Sequence, residues 1–224
     1  CFALVSNNDV ILIDTGIGKG PHSTKGNLTG NLIDELKKWD ISQNDVSLVV
    51  HTHLHADHIG WNLTRDTKNV YPTFPKARYM VTRKDWEYFT TPEALSNFPF
   101  IGESALPLEA LGILDVIPEN HVITSEISTI STPGHTPGHV AIYVNSGGET
   151  GVVIGDILHS KVQIQEPSWC VGVDTDKAAS EASRRELINR AVSGGYLIAA
   201  GHFNPEEHFG RIKSRDGGHV WQGI

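Results

Sequence analysis

Apolar residues fall in short bursts along this chain, and the spacing within each burst sets the element it predicts. Phe2 to Val5 and Val10 to Ile13 read as two strands around the turn Ser6-Asn7-Asn8-Asp9, the second running into Asp14-Thr15-Gly16. A glycine-rich loop follows through Gly18, Gly20 and Gly26. Leu32, Ile33, Leu36 and Trp39 then recur at helical spacing and predict an amphipathic helix over roughly 29–39. Val46, Leu48, Val49 and Val50 make a short, almost wholly apolar strand that ends at His51. Tyr79 to Val81 predict another strand and Arg83 to Phe89 a helix. The stretch 90–119 is weakly patterned and carries proline and aromatic residues, so a lid-like insertion is expected over about 85–120.

Strand patterns resume at Ile127 to Ser131, Val140 to Val144 and Val152 to Ile154, the last two joined by the hairpin turn Asn145-Ser146-Gly147-Gly148. A second helix is predicted from about Asp176 to Val192, with Leu187, Ile188, Ala191 and Val192 on one face and Gly194-Gly195 stopping it. Tyr196 to Ala200 is a buried strand that delivers Gly201-His202. Strands and helices are mixed, and each half of the chain repeats strands, a helix and ligand-type residues at strand ends. The expectation is an α/β fold and a single domain spanning 1–224, with no linker or low-complexity segment.

Composition narrows the classes. With 39% hydrophobic and 20% charged residues, the chain is composed as ordinary globular proteins are. No apolar run reaches the roughly 20 residues a membrane helix needs. A net charge of −8 without a basic run argues against nucleic acid and against any phosphate-rich partner. The 2 cysteines, Cys1 and Cys170, form neither a zinc-ribbon spacing nor a disulfide framework. No signal peptide is visible; because the chain opens inside a strand pattern and without Met, an upstream segment is expected.

The chemistry is concentrated in His51-Thr52-His53-Leu54-His55-Ala56-Asp57-His58, four imidazoles and a carboxylate in eight residues. Imidazole and carboxylate are ligands for zinc and other first-row metals, and a dication offsets the repulsion of holding such groups together. Downstream, Thr132-Pro133-Gly134-His135, His139, Gly155-Asp156 and Gly201-His202 each place a His or Asp beyond an apolar strand or beside a glycine.

With these in the same order, the chain resembles the metallo-β-lactamase fold superfamily, most specifically through Thr52 to Gly60. The resemblance implies an αββα sandwich with metals at one sheet edge. It implies two zinc ions per chain, with iron or manganese suiting the same set. Carried onto this sequence, His53, His55 and His135 hold one metal, Asp57, His58 and His202 the second, and Asp156 bridges them. A bridging hydroxide is then the nucleophile, since two dications about 3.5–4 Å apart bring a shared water toward neutral pKa. Asp57 orients it. No Ser- or Cys-centred nucleophile motif competes.

Asp14 reads as a residue that fixes a loop or a ligand rather than as a ligand. His139 reads as structural or as a partner of a ligand. His22, His121, His208 and His219 stand alone in loop-like context.

Among branches of the superfamily, imidazole at His55 speaks against the di-iron flavoproteins, and Asp156 against the cysteine-bearing β-lactamases. His58-Ile59-Gly60-Trp61-Asn62 is similar to methyl parathion hydrolase-like and acyl homoserine lactonase-like enzymes. Gly155-Asp156-Ile157-Leu158-His159, with Gln163 and Pro167, is closer to the first group. His159 stands where several lactonases have a Tyr, so it either donates to the substrate or braces Asp156. Trp61, Trp86, Tyr88, Phe89, Phe98, Phe100 and Trp169 suggest an aromatic mouth for a partly apolar small molecule. The expected activity is hydrolysis of a lactone or carboxylic ester, with phosphotriester cleavage on the side. The alternatives are a glyoxalase II-like thioesterase, from Thr132 to His139, and an iron-loaded oxidoreductase.

Overall fold

A computed structural model describes residues 1–6, 9–22 and 26–224. The chain divides into two compact units, Cys1–Ile117 and Pro118–Ile224. Asn7 and Asn8 of the turn expected at Ser6–Asp9, and residues 23–25 of the glycine-rich loop, lie outside the described residues.

In the first unit, β1 (Phe2–Ser6) pairs antiparallel with β2 (Asp9–Ile13). The sheet continues through β3 (Val46–Val50), β6 (Arg78–Thr82) and β7 (Leu114–Ile117), all parallel to β2, in the order β1-β2-β3-β6-β7. A side ribbon joins β4 (Leu63–Arg65) and β5 (Val70–Pro72). The near-continuous apolar runs of β2 and β3 are what interior parallel strands require. Leu12, Val46, Val49, Phe74 and Tyr79 are buried together, with Leu36 of α1 (Leu32–Lys38) against them.

The helix expected over roughly 29–39 is shorter at its start, because the Gly30 N–H donates to the Gly18 carbonyl at 2.8 Å instead of entering a helical turn. Trp39, expected on the apolar face, is 80% exposed: it caps the helix and the chain turns away through Asp40 at φ 56°.

The weakly patterned stretch after α3 (Arg83–Phe89) folds into three short helices, α4 (Pro92–Asn97), α5 (Pro99–Ser104) and α6 (Leu106–Ala110). Each carries a proline in its first turn, where the missing N–H costs nothing. Ile101 and Ala105 pack with Leu54, Ile59, Trp86 and Phe89 in a core of their own. That core lies under α2 (Ala56–Ile59), the turn of helix that carries Asp57 and His58.

The second unit is a seven-stranded sheet in the order β14-β13-β12-β11-β10-β9-β8. Its strands are β8 (His121–Val122), β9 (Ile127–Ser131), β10 (Val140–Ser146), β11 (Glu149–Val153), β12 (Leu197–Ala199), β13 (Phe209–Arg215) and β14 (Gly218–Gly223). Only β11 and β12 pair in parallel. The crossover between those two carries α7 (Val162–Gln165) and α8 (Lys177–Gly194).

The predicted helix over 176–192 is thus present with its N-cap at Asp176, whose side chain accepts from Ala179 N–H. It ends at Gly195 in the left-handed conformation. Leu187, Ile188 and Ala191 pack on Val152, Ile154 and Ile198, as the apolar spacing requires. Both units are α/β. Among the described residues, no helix is long and apolar enough to cross a membrane.

Candidate metal centre

The first unit gathers its ligand-type residues where β3 ends. Val50 is the last paired residue; the chain then runs through His51–His55 into α2. Three backbone bonds fix this passage: Asp14 N–H to Val50 O at 3.0 Å, Thr15 N–H to His58 O at 2.7 Å and Gly60 N–H to Gly16 O at 2.7 Å. The Asp-Thr-Gly turn therefore clasps the histidine run from below. Gly60 is required there, since a Cβ at that position would lie 2.2 Å from the carbonyl carbon of Ile17.

Asp14 is the hub of this half. Its Oδ1 accepts from Thr52 N–H at 2.8 Å, and its Oδ2 accepts from the Thr52 hydroxyl and from His58 Nδ1, both at 2.8 Å. Burial opposes the charged carboxylate, but the charge of His58 and the hydrogen bonds it receives outweigh that and hold Asp14 far below the usual carboxylate range. Since the Thr52 proton is given to Asp14, its oxygen accepts from His53 Nδ1 at 3.0 Å. Nδ1 of both His53 and His58 is thus engaged as a donor, which leaves each Nε2 with its lone pair outward. Nε2 of His53 lies 3.1 Å from Nδ1 of His55, and the ring of His58 is 4.0 Å from that of His53. Asp57 sits in the first turn of α2. Asp85 of α3 is fully buried and accepts from Leu54 N–H at 3.3 Å.

The second unit builds a matching cluster around Asp156, in the turn after β11 that Gly155 opens at φ 51°. Its Oδ2 lies 3.1 Å from Nε2 of His135, 3.2 Å from Nε2 of His159 and 3.0 Å from Nε2 of His202. His139 accepts from Asp156 N–H through Nε2 at 3.0 Å and meets the Thr132 hydroxyl through Nδ1 at 2.8 Å. The structural reading of His139 therefore describes what its ring does. His135 meets the Asp174 carboxylate through Nδ1 at 2.8 Å. Burial disfavours its charged form, but Asp156 and Asp174 together raise its pKa.

These contacts test whether a cation suits the cluster. With Nδ1 committed to Asp174, Nε2 of His135 is the ring atom that faces the Asp156 carboxylate, and in the neutral ring it carries a lone pair. A dication accepts from both. Nδ1 of His159 is buried without a hydrogen-bond partner among the described residues, and its ring stacks on His202 at 4.6 Å. One ligand atom from each of Asp156, His159 and His202 lies within 4.8 Å of the others. The donor set and its orientation fit metal ions.

Each predicted ligand thus falls in one of two clusters: His53, His55, Asp57 and His58 in the first unit, and His135, Asp156 and His202 in the second. Asp85 and Asp174 escaped sequence reasoning. Both lie on or beside helices, far in sequence from the groups they hold, and no local motif marks them.

The aromatic residues separate. Trp86, Phe89 and Phe98 belong to the core beneath α2, Trp169 is exposed, and Trp61 and Phe100 line a cavity of about 340 Å³. Ile17, Leu63, Lys19 and Arg65 complete its apolar and basic walls, and Ala56 and Gly60 place it beside α2.

Two imidazole–carboxylate clusters at strand ends of an α/β framework define a metal-dependent enzyme. The chain belongs to the metallo-β-lactamase superfamily, whose sequence profile matches residues 1–202. It is a metal-dependent hydrolase with the fold of that superfamily. The N-acyl homoserine lactonase AiiA of Bacillus thuringiensis subsp. kurstaki is 22% identical over 95% of this chain and 84% of its own length. The solved structure of AidC, a dizinc quorum-quenching lactonase in complex with a product, superposes with a TM-score of 0.83 at 25% identity, covering 99% of this chain and 78% of that one. A hydrolase of the β-lactamase superfamily, AbOPH, gives a TM-score of 0.83 at 27% identity, covering 97% of this chain and 76% of its own.

Proposed function

We propose that this hydrolase opens the ring of N-acyl homoserine lactones or closely related lactones and esters, using two zinc ions. The observation that carries the reading is the set of three imidazole nitrogens directed at one carboxylate oxygen of Asp156. The lactonases similar to this chain support the choice of substrate. His53, His55 and His135 would hold one metal, Asp57, His58 and His202 the other, with Asp156 shared.

When bound, the two dications acidify a water and polarise the acyl carbonyl. The chain's own residues do the rest. Asp14, Thr52 and Asp174 keep the Nδ1 protons of His58, His53 and His135 in place, so each Nε2 faces the centre. Asp57 orients the attacking water and carries its proton toward the alkoxide released as the ring C–O bond breaks. His159 braces Asp156, a role its 3.2 Å contact supports over donation to the substrate. The cavity beside α2 takes the acyl chain, its apolar wall formed by Ile17, Trp61, Leu63 and Phe100.

The test compares kcat/KM of the zinc-loaded protein on N-hexanoyl homoserine lactone, an aryl phosphotriester and a glutathione thioester. The lactone is expected to exceed about 10⁴ M⁻¹s⁻¹, in the range of evolved enzymes, with the phosphotriester a weaker side activity. A thioester or phosphotriester value above the lactone's would contradict the proposed substrate.

A further inference from the structure

Arg184 is the largest fully buried side chain among the described residues, and nothing in the proposed reaction uses it. A guanidinium withdrawn from water is kept only where acceptors surround it and an anion lies near. Arg184 reaches from α8 in two directions. Nε donates to the carbonyl of Ile157, the residue after Asp156, at 2.9 Å, and Nη1 donates to the carbonyl of Pro167. Nη2 donates to Ser180 Oγ at 3.1 Å and stands 3.8 Å from Asp174 Oδ2. Ser180 in turn donates to Asp174 Oδ2 at 3.0 Å, while Asp174 Oδ1 holds His135 Nδ1.

The backbone repeats the connection. Thr175 N–H and its hydroxyl both donate to His135 O, at 3.2 and 2.9 Å. Asp176 N–H donates to Gly134 O at 2.9 Å, and the Ser183 hydroxyl to Pro133 O at 2.7 Å. Gly134 allows this approach: at φ 130° it packs so closely that a Cβ would lie 2.0 Å from Ser180 N.

We propose that Arg184 is a positioning residue for the metal centre. It ties the Asp156 turn, through Ile157, to the His135 imidazole, through Asp174 and Ser180, and so fixes how these two ligands face one ion. The inference rests on the reading of His135 and Asp156 as metal ligands. A purely structural Arg184 would contribute to folding and leave metal affinity alone, so the two roles separate in a measurement.

The experiment measures zinc affinity by competition with a chromophoric chelator, and thermal stability, for the wild type, Arg184→Met, Ser180→Ala and Leu187→Ala. Leu187 lies on the same helix, in the apolar core that Ile157 also enters, and its hydrocarbon side chain makes no hydrogen bond to these groups. Arg184→Met is expected to weaken zinc binding about 10–100-fold, the range for partners of metal ligands. Ser180→Ala is expected to weaken it less, and carries the test if Arg184→Met does not fold. Leu187→Ala should lose stability and keep wild-type zinc affinity. Unchanged affinity in the folded variants at positions 184 and 180, or an equal loss in Leu187→Ala, overturns the proposal. His135→Ala is measured alongside: two zinc ions bound at wild-type affinity there would overturn the ligand reading itself.

Discussion

A buried carboxylate that accepts three hydrogen bonds, as Asp14 does from Thr52 and His58, stays charged and fixes the donors around it. Its removal should therefore act on zinc as well as on folding. In Asp14→Asn one oxygen becomes an amide that cannot accept, so either the Thr52 N–H on Oδ1 or both the Thr52 hydroxyl and His58 Nδ1 on Oδ2 lose their acceptor. A stability loss of about 1–3 kcal/mol in urea unfolding is expected, together with a roughly 10–100-fold weaker zinc affinity. Stability loss with unchanged affinity would reduce Asp14 to a fold residue. His159→Ala removes one of the three nitrogens at Asp156 and should slow lactone hydrolysis by about 10–100-fold through kcat. An unaltered rate and zinc content would show that this ring only packs on His202.

At the scale of elements, the site depends on close approaches between loops that side chains would prevent. Gly60 lets α2 settle on the Asp-Thr-Gly turn, and Gly134 lets the His135 loop settle on the start of α8. Gly134→Ala imposes a Cβ on both an unfavourable φ and a backbone contact. A loss of at least about 2 kcal/mol in unfolding free energy is expected, with zinc binding weakened as His135 is pushed away. Normal stability and affinity would mean the loop moves freely.

Elements with a strong period were legible in the sequence: β2, β3, β9, β10, β11 and α8 stand where their apolar spacing predicts them. The hairpin of β13 and β14 was not read, although its turn, Asp216-Gly217 with φ of 40° and 82°, carries the dipeptide that favours such hairpins. The helices over 92–110 were hidden because each is too short to show a period, and tertiary burial of Ile101, Ala105 and Leu108 holds them instead. Ligand-type residues were legible because they sit in local runs beside glycines. Asp85, Asp174 and Arg184 were not, since each meets its partner only through the fold.

For the whole molecule, each of the two units carries its own cluster of imidazoles and carboxylates, and the proposed function requires two zinc ions per chain. Ligands that bind only the folded state stabilise it by mass action, about 4 kcal/mol at a thousandfold excess over Kd. The most direct measurement is a zinc titration of the metal-stripped protein, following bound zinc and hydrolysis of N-hexanoyl homoserine lactone together. Two equivalents per chain are predicted, with activity reaching its plateau only as the second binds and Asp156→Ala failing to reach it. A plateau at one equivalent, or full activity in the metal-stripped protein, would contradict a dinuclear zinc lactonase.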